Sequence, residues 1–344
     1  MKFHRICVLG GSGFVGSAIV QMLAAQGCQV RVLSRNRERA KDLTVLPTVE
    51  VVSANIHDQD ELVRQFAGMD AIINLVGVLH EAHPARGGKA ALQKGDYHEN
   101  HIELVNKLIV ACAANGIQRL LHMSALGADP DSQSAYQRSK GLGEALARAA
   151  GMAAGVSKAE DAHQFVYGGS VYVTIFRPSV IFGRGDSFLT MFANLVKFLP
   201  VIPLANPGAR FQPVWVEDVA GAFADALDSP ATFGATYNLC GPTIYTLQAL
   251  VKLVANTLGR HPRIIPLSRR LSYLQAWMME WMPGKKLMTR DNYYAMLVDN
   301  ICTSQFPAPP GIKVTGLEAI AAEYLTDVST PRGRYTAFRG RAGR

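Results

Sequence analysis

A doubly wound α/β fold, with a parallel sheet and a smaller, mainly helical C-terminal lobe, is what this sequence predicts, and three observations predict it. Through residues 5–240, short runs rich in β-branched and aliphatic residues alternate with longer stretches of helical periodicity, the pattern of repeated βαβ units. Three glycines, Gly10, Gly13 and Gly16, stand between the first such strand and the first such helix. Beyond about residue 240 the strand signals fade and the periodicity becomes helical. Right-handed crossovers then put helices on both faces of one sheet, the Rossmann-type arrangement.

The patterning predicts strands at Ile6–Leu9, Gln29–Leu33, Val49–Ser53, Ala71–Val76, Arg119–Ser124 and Val171–Phe176, with a seventh at Thr236–Leu239. Helices are expected between them at Gly13–Ala25, Gln59–Phe66, Tyr97–Asn115 and Tyr136–Ala149. The lobe adds Leu247–Leu258, Ser268–Met282 and Leu317–Tyr324. Two stretches read as insertions: His80–Lys94, with Pro84, Gly87 and Gly88, and the Gly/Ala/Ser-rich Gly151–Gly169. The domain reading is therefore residues 1–240 for the sheet domain, with 187–206 contributing to the second lobe, 241–325 for that lobe, and 326–344 for a basic tail.

Composition narrows the class. At 344 residues, 49% hydrophobic and 18% charged, the chain suits one large core, or a core with a lobe, in a soluble protein. No stretch approaches the ~18 apolar residues of a membrane span. The longest, Leu189–Ala205, is broken by Lys197, Pro200 and Pro203. The start, Met1-Lys2-Phe3-His4-Arg5, runs into the short Ile6–Leu9 and does not read as a signal peptide, so the expected location is cytoplasmic, with a peripheral position at the inner face of the membrane as the alternative. Cys7, Cys28, Cys112, Cys240 and Cys302 are scattered and lack a CxxC pair. They read as free thiols in a reducing compartment, and no metal site is expected. Part of the net charge of +8 lies in the tail, where Arg332, Arg334, Arg339, Arg341 and Arg344 occur without an acid. A solvated tail is the favoured reading over an anionic lipid, RNA or protein contact, and nucleic acid is disfavoured as a partner.

The loop Gly10-Gly11-Ser12-Gly13-Phe14-Val15-Gly16 carries the first chemistry. Glycines are needed where backbone approaches phosphate and where a helix packs closely on a strand. The helix N-terminus directs N–H groups and a positive dipole end at a pyrophosphate. The expected contacts of a dinucleotide are thus Gly10, Ser12, Gly13, Phe14, Val15 and Gly16. An NAD-specific site usually has Asp or Glu ending the second strand; this chain has Leu33-Ser34-Arg35-Asn36-Arg37. Arg35, with Ser34 beside it, suits a 2′-phosphate, which favours NADP(H) over NAD(H), with a pair of ordinary surface arginines as the plainer reading. Asn55 and Ile56 after the third strand, and Leu75, Val76 and Gly77 ending the fourth, are expected to flank adenine and its ribose.

The second chemistry is a trio. Tyr136-Gln137-Arg138-Ser139-Lys140 sets Tyr and Lys on one helix face, and Ser124 ends the preceding strand. Carbonyl reduction by hydride needs a proton donor at the oxygen. An ammonium near a tyrosine lowers the cost of its phenolate, so Tyr136 and Lys140 suit that task, while Ser124 can donate to a substrate oxygen. Lys140 can also hold the nicotinamide ribose.

In these motifs and their order the chain, over residues 5–245, resembles the short-chain dehydrogenase/reductase superfamily, in its extended or atypical branch. The resemblance implies that Asn100, in Glu99-Asn100-His101, supports the active site. It also implies that the backbone of Arg177-Pro178-Ser179-Val180-Ile181-Phe182-Gly183 lies along the nicotinamide, at Pro178 and Val180, and that Asp218, in Phe211–Ala220, caps a helix. The wording of His122–Ala128, of Tyr136–Gly141 with Gly143-Glu144, of Arg177–Gly183 with Gly185-Asp186, and of Met288–Asn292 is similar to the nucleotide-binding accessory subunit of respiratory complex I and its bacterial relatives. That resemblance implies a firmly held, structural NADPH; the retained Ser124, Tyr136 and Lys140 leave turnover open. The chain departs from that pattern in its longer Gly151–Gly169 loop.

In the lobe, Phe188–Leu204 and Tyr273–Met282 are apolar. The second, with Trp277 and Trp281 four apart, reads as an ordinary buried helix, with a lipid-like or quinone-like ligand or a membrane surface as the alternative. Three functions stay open at this point. The leading one is an NADP(H)-binding reductase relative with a stabilising, assembly or ubiquinone-related role beside complex I. The second is a freestanding NADP-dependent reductase, dehydratase or epimerase on a small carbonyl or sugar nucleotide. The third is a non-catalytic NADPH-sensing regulator.

Overall fold

A computed structural model describes residues 3–79, 81, 95–153, 171–282, 286–303 and 305–327. Contacts divide the chain into two compact units. The first comprises Met1–Arg177, Val219–Asn238 and Phe306–Ile312; the second comprises Pro178–Asp218, Leu239–Gln305 and Lys313–Arg344. The insertions His80–Lys94 and Gly151–Gly169 fall outside the described residues except for Glu81 and 151–153, and the tail does so beyond residue 327.

The first unit is built on a seven-stranded sheet. Its strands are β1 (Arg5–Leu9), β2 (Gln29–Ser34), β3 (Val49–Ser53), β4 (Ala71–Asn74), β5 (Arg119–Met123), β6 (Tyr172–Pro178) and Thr236–Leu239. They lie in the order β3-β2-β1-β4-β5-β6 followed by Thr236–Leu239, and each neighbouring pair from β3 to β6 is parallel. Ile6 to Leu9 and all of β4 are buried, as expected of strands covered on both faces. Leu62, Phe66, Leu104, Leu108 and Cys112 pack on them from the helices Gln59–Phe66 and Leu104–Ala114. The first of these helices starts where the Asp58 carboxylate accepts from the N–H groups of Asp60 and Glu61, a side-chain cap for donors the helix cannot pair internally.

Arg119 opens β5 and is fully buried, a costly place for a charge unless every donor is met. Its guanidinium donates to the carbonyls of Ala226 (2.6 Å), Leu227 (3.3 Å) and Tyr172 (3.1 Å) and to Thr232 Oγ1 (3.0 Å). Two of those carbonyls belong to the last turn of the helix Val216–Asp228, whose negative dipole end favours a cation. Burial nonetheless lowers the Arg119 pKa to about 9.

In the second unit the helices Phe188–Phe198, Leu247–Thr257 and Leu317–Asp327 pack through Leu189, Phe192, Leu250, Val254, Tyr324 and Leu325. Two expectations are corrected here. Cys240 and Cys302 are not free thiols: they form a disulfide, because the fold joins segments 62 residues apart in sequence. Cys7, Cys28 and Cys112 are buried thiols outside that disulfide. Asp218 lies in the first turn of its helix, and its carboxylate accepts from the N–H (2.6 Å) and hydroxyl (3.1 Å) of Thr315. The Trp-rich helix, Arg269–Glu280, also departs from the buried reading, since only Ser272 and Ala276 are buried along it.

Candidate functional site

In the parallel sheet, the residues that follow β1, β2, β3, β4 and β5 emerge at the same edge. This carboxyl edge is where ligands bind open α/β sheets. The glycine loop follows β1, Ser34 and Arg35 end β2, Asn55 and Ile56 follow β3, Leu75–Gly77 follow β4, and Ser124 follows β5. The topology thus assembles residues from across 115 positions of sequence onto one edge of the first unit.

The loop is shaped by its glycines. Gly10 has φ +80°, a left-handed conformation, and a Cβ on it would lie 3.1 Å from the Leu75 carbonyl carbon. A Cβ on Gly16 would sit 2.2 Å from Gly10 O, so this helix can approach the loop only with glycine there. Gly13 N–H donates to Gly10 O at 3.0 Å and closes the turn. Gly13 then begins the helix Phe14–Ala25 with no side-chain cap and no acid in its first turn. Such a helix start satisfies none of its own leading N–H groups through a cap and repels no anion, which fits a pyrophosphate. Ser12, Phe14 and Val15 are half-buried around it.

The remaining expected contacts are distributed unequally. Ser34 is buried and its hydroxyl donates to Asn36 O at 2.9 Å, whereas Arg35 is exposed. Asn55 is exposed and its Oδ1 accepts from His57 N–H at 3.1 Å; Ile56 is buried with the core. Leu75 and Val76 adjoin Gly10, and a Cβ on Gly77 would lie 3.4 Å from Lys140 Nζ, so the β4 loop links the glycine loop to the lysine. Pro178 and Val180 belong to the second unit, where Val180 N–H donates to Asn300 Oδ1 at 3.1 Å.

Lys140 and Tyr136 lie on the helix Ala135–Ala153. The buried Lys140 ammonium donates to Met123 O at 2.9 Å, and burial lowers its pKa to about 8. Tyr136 packs edge-on against His101, with ring centroids 5.7 Å apart, and against Tyr97 at 6.1 Å. Ser124 is buried, and its hydroxyl donates to Glu144 Oε2 at 2.8 Å. That carboxylate also receives Arg177 through Nε and Nη2, both at 2.7 Å, and Arg148 at 2.5 Å. Arg177 lies over the Phe306 ring, 4.3 Å from its centroid.

Asn100 lies in a π-type turn, Glu99–Glu103, and its amide donates to Asp96 O at 2.7 Å in the same helix. The next residue, His101, is the one that meets the trio's helix. Val78 N–H donates to its Nε2 at 3.0 Å, which leaves the proton on Nδ1, donated to Ser139 Oγ at 2.8 Å; that hydroxyl donates to Tyr136 O. Burial, and then the Lys140 charge, hold the His101 pKa down at about 2. His122, bound by the Asn74 amide at 3.1 Å, is lowered to about 3 for the same reasons. Neutral imidazoles therefore surround a charged lysine. Glu144, Arg177, Arg148 and His101 carry this arrangement without having been named as site residues. The only sequence signals were the Gly143-Glu144 and Glu99-Asn100-His101 motifs and the Arg177 segment, and none of them revealed the pairing.

Comparison with known proteins gives the family and the fold. The profile of the NAD dependent epimerase/dehydratase family matches residues 6–240. The chain is 28% identical over 309 residues to the Arabidopsis thaliana "NADH dehydrogenase [ubiquinone] 1 alpha subcomplex subunit 9, mitochondrial", covering 86% of this chain and 70% of that one. It is 26% identical to a ceramide reductase of Caulobacter vibrioides, covering 76% and 73%. Among solved structures, a dTDP-glucose 4,6-dehydratase from Streptomyces venezuelae with NAD bound superposes with a TM-score of 0.66 at 20% identity, covering 97% of this chain and 99% of that one. The UDP-glucose 4-epimerase of Thermus thermophilus in complex with NAD superposes at 0.58 and 22%, covering 86% and 100%. The chain belongs to the NAD dependent epimerase/dehydratase family.

Proposed function

We propose that this chain holds NADP(H) on the Gly10–Gly16 loop as a resident nucleotide and serves as a stabilising accessory component of respiratory complex I, peripheral to the inner face of the membrane. The observation that carries the reading is the prior engagement of two members of the trio: Ser124 donates to Glu144, and Lys140 donates to Met123 O. A serine whose proton is committed to a carboxylate can only accept from a new ligand. The similarity to the alpha subcomplex subunit 9 supports the partner, and the exposed Arg35 supports a 2′-phosphate over a 2′-hydroxyl.

When bound, the nicotinamide supplies hydride chemistry. The residues of this chain would bind the pyrophosphate at the helix start and the ribose beside Lys140. A second reading, an NADP-dependent reductase of an apolar carbonyl or quinone-like compound, is favoured by one observation. Lys140 stays largely protonated at neutral pH beside a helix that also carries Tyr136, so a phenolate could be stabilised there.

The two are separated in cells lacking the native gene. Complex I assembly should be restored by wild type and by Tyr136→Phe alike. Failure of Tyr136→Phe to restore it, with NADPH still bound, would transfer support to the reductase.

A further inference from the structure

In the first unit, the large apolar side chains that stand exposed among the described residues are only Val45, Leu79 and Tyr172. The second unit concentrates them. Along Arg269–Glu280 and just beyond it, Leu271, Leu274, Trp277, Met278 and Trp281 are 51%, 47%, 42%, 59% and 76% exposed. At 3.6 residues per turn, these positions span about a third of the helix circumference, while Ser272 and Ala276 form the narrow stripe that packs inward. That stripe, with Tyr273 against Tyr293 and Tyr294, attaches the helix and leaves Leu271, Leu274, Trp277, Met278 and Trp281 outward.

The charges set the occupant. Arg269 and Arg270 are exposed at the start of this helix, and Arg263 is exposed on the strand Arg263–Pro266. None of the three has an ion-pair partner among the described residues. The helix carries one carboxylate, Glu280, and Arg290 already holds it at 2.8 Å. A second copy packed helix against helix would therefore bring the same unpaired arginines and no free carboxylate on that helix to meet them. A surface of anionic headgroups over hydrocarbon offers both partners: phosphates for the arginines and an apolar boundary for Leu, Met and Trp, whose indole favours that depth. No helix of the described residues is long and apolar enough to cross a membrane, so the element would lie on the surface.

We infer that the second unit docks on an anionic lipid surface through the helix Arg269–Glu280, with Trp277, Met278 and Trp281 immersed and Arg269 and Arg270 at the headgroups. This rests on the peripheral location proposed above.

The test is flotation of the full chain with vesicles of phosphatidylcholine alone or of phosphatidylcholine with phosphatidylglycerol, with NADPH binding measured on the same preparations. Wild type should float with the phosphatidylglycerol vesicles, with a blue shift of tryptophan emission. Met278→Glu and Trp281→Glu should each lose at least about tenfold in partitioning while still binding NADPH. Each of Arg269→Glu and Arg270→Glu should lose about fivefold or more, and only on the anionic vesicles. Wild type remaining unbound to both vesicles, or floating unchanged in the Met278 and Trp281 variants, would overturn the inference. So would a wild-type dimer that Trp281→Glu converts to monomer. Lost NADPH binding with vesicle binding retained would count against the nucleotide reading alone.

Discussion

The Ser124 hydroxyl donates to Glu144 Oε2 at 2.8 Å, and the same carboxylate receives both nitrogens of an Arg177 fork and one of Arg148. One buried anion thus orients the serine and neutralises the arginine that ends β6. A bidentate, charge-assisted contact is a strong positional restraint, so the direction of the Ser124 proton is fixed by the fold before any ligand arrives.

Removing that anion should cost far more than removing the serine. Glu144→Gln leaves Arg177 under-compensated in a buried setting and should destabilise the chain by about 3–5 kcal/mol. Ser124→Ala should cost about 1 kcal/mol, the net value of one hydrogen bond. Urea midpoints at unchanged m-value measure both; equal shifts would contradict the assigned roles.

Arg35 should discriminate the nucleotides. A charge-assisted contact to a 2′-phosphate is worth about 1.5–3 kcal/mol, so Arg35→Asp should weaken NADPH by about 10- to 100-fold and NADH far less. Paired titrations read the ratio, and equal losses would refute the assignment to the 2′-phosphate.

Acid should destabilise the first unit through its buried imidazoles. His101 and His122 have folded pKa values of about 2 and 3, below the ordinary 6.5. The unfolded chain therefore binds more protons below pH 6.5, and stability falls as pH drops from there toward 3. Lys140, lowered from 10.5 to about 8, acts in the same sense at the other end: stability should rise between pH 8 and 10.5. Unfolding midpoints across pH 4 to 7 should show a shallower loss in His101→Gln than in wild type, and parallel curves would count against its neutral role.

The disulfide makes a simple claim. Alkylation of the unfolded, unreduced chain should modify three thiols, Cys7, Cys28 and Cys112, and reduction should raise this to five. In the chain-entropy treatment, a cross-link across 62 residues contributes about 4 kcal/mol, so reduction should lower the melting temperature. Five thiols before reduction would remove the bond.

What the sequence made readable was local. The Gly10–Gly16 spacing and Tyr136 with Lys140 each lie within one loop or one helix, and the strands alternate with helices at short range, so periodicity was enough. What it hid was non-local or depended on a shift of register. Ser124, Glu144 and Arg177 are separated by 20 and 33 residues and meet only when β5, β6 and a helix assemble. The π-type turn at Glu99–Glu103 adds a residue to the helical register, so that His101 meets Ser139 while Asn100 bonds within its own helix. Cys240 and Cys302 carry no spacing signal at all. The Trp277 helix departs from the buried expectation because an apolar run does not say which of its faces is covered.

The central claim, that this edge of the sheet holds a nicotinamide dinucleotide, is tested most directly by titrating the purified chain with NADPH and NADH and following nucleotide fluorescence. The account predicts saturable binding at one site per chain, tighter for NADPH. No measurable affinity for either nucleotide in a folded preparation would contradict it.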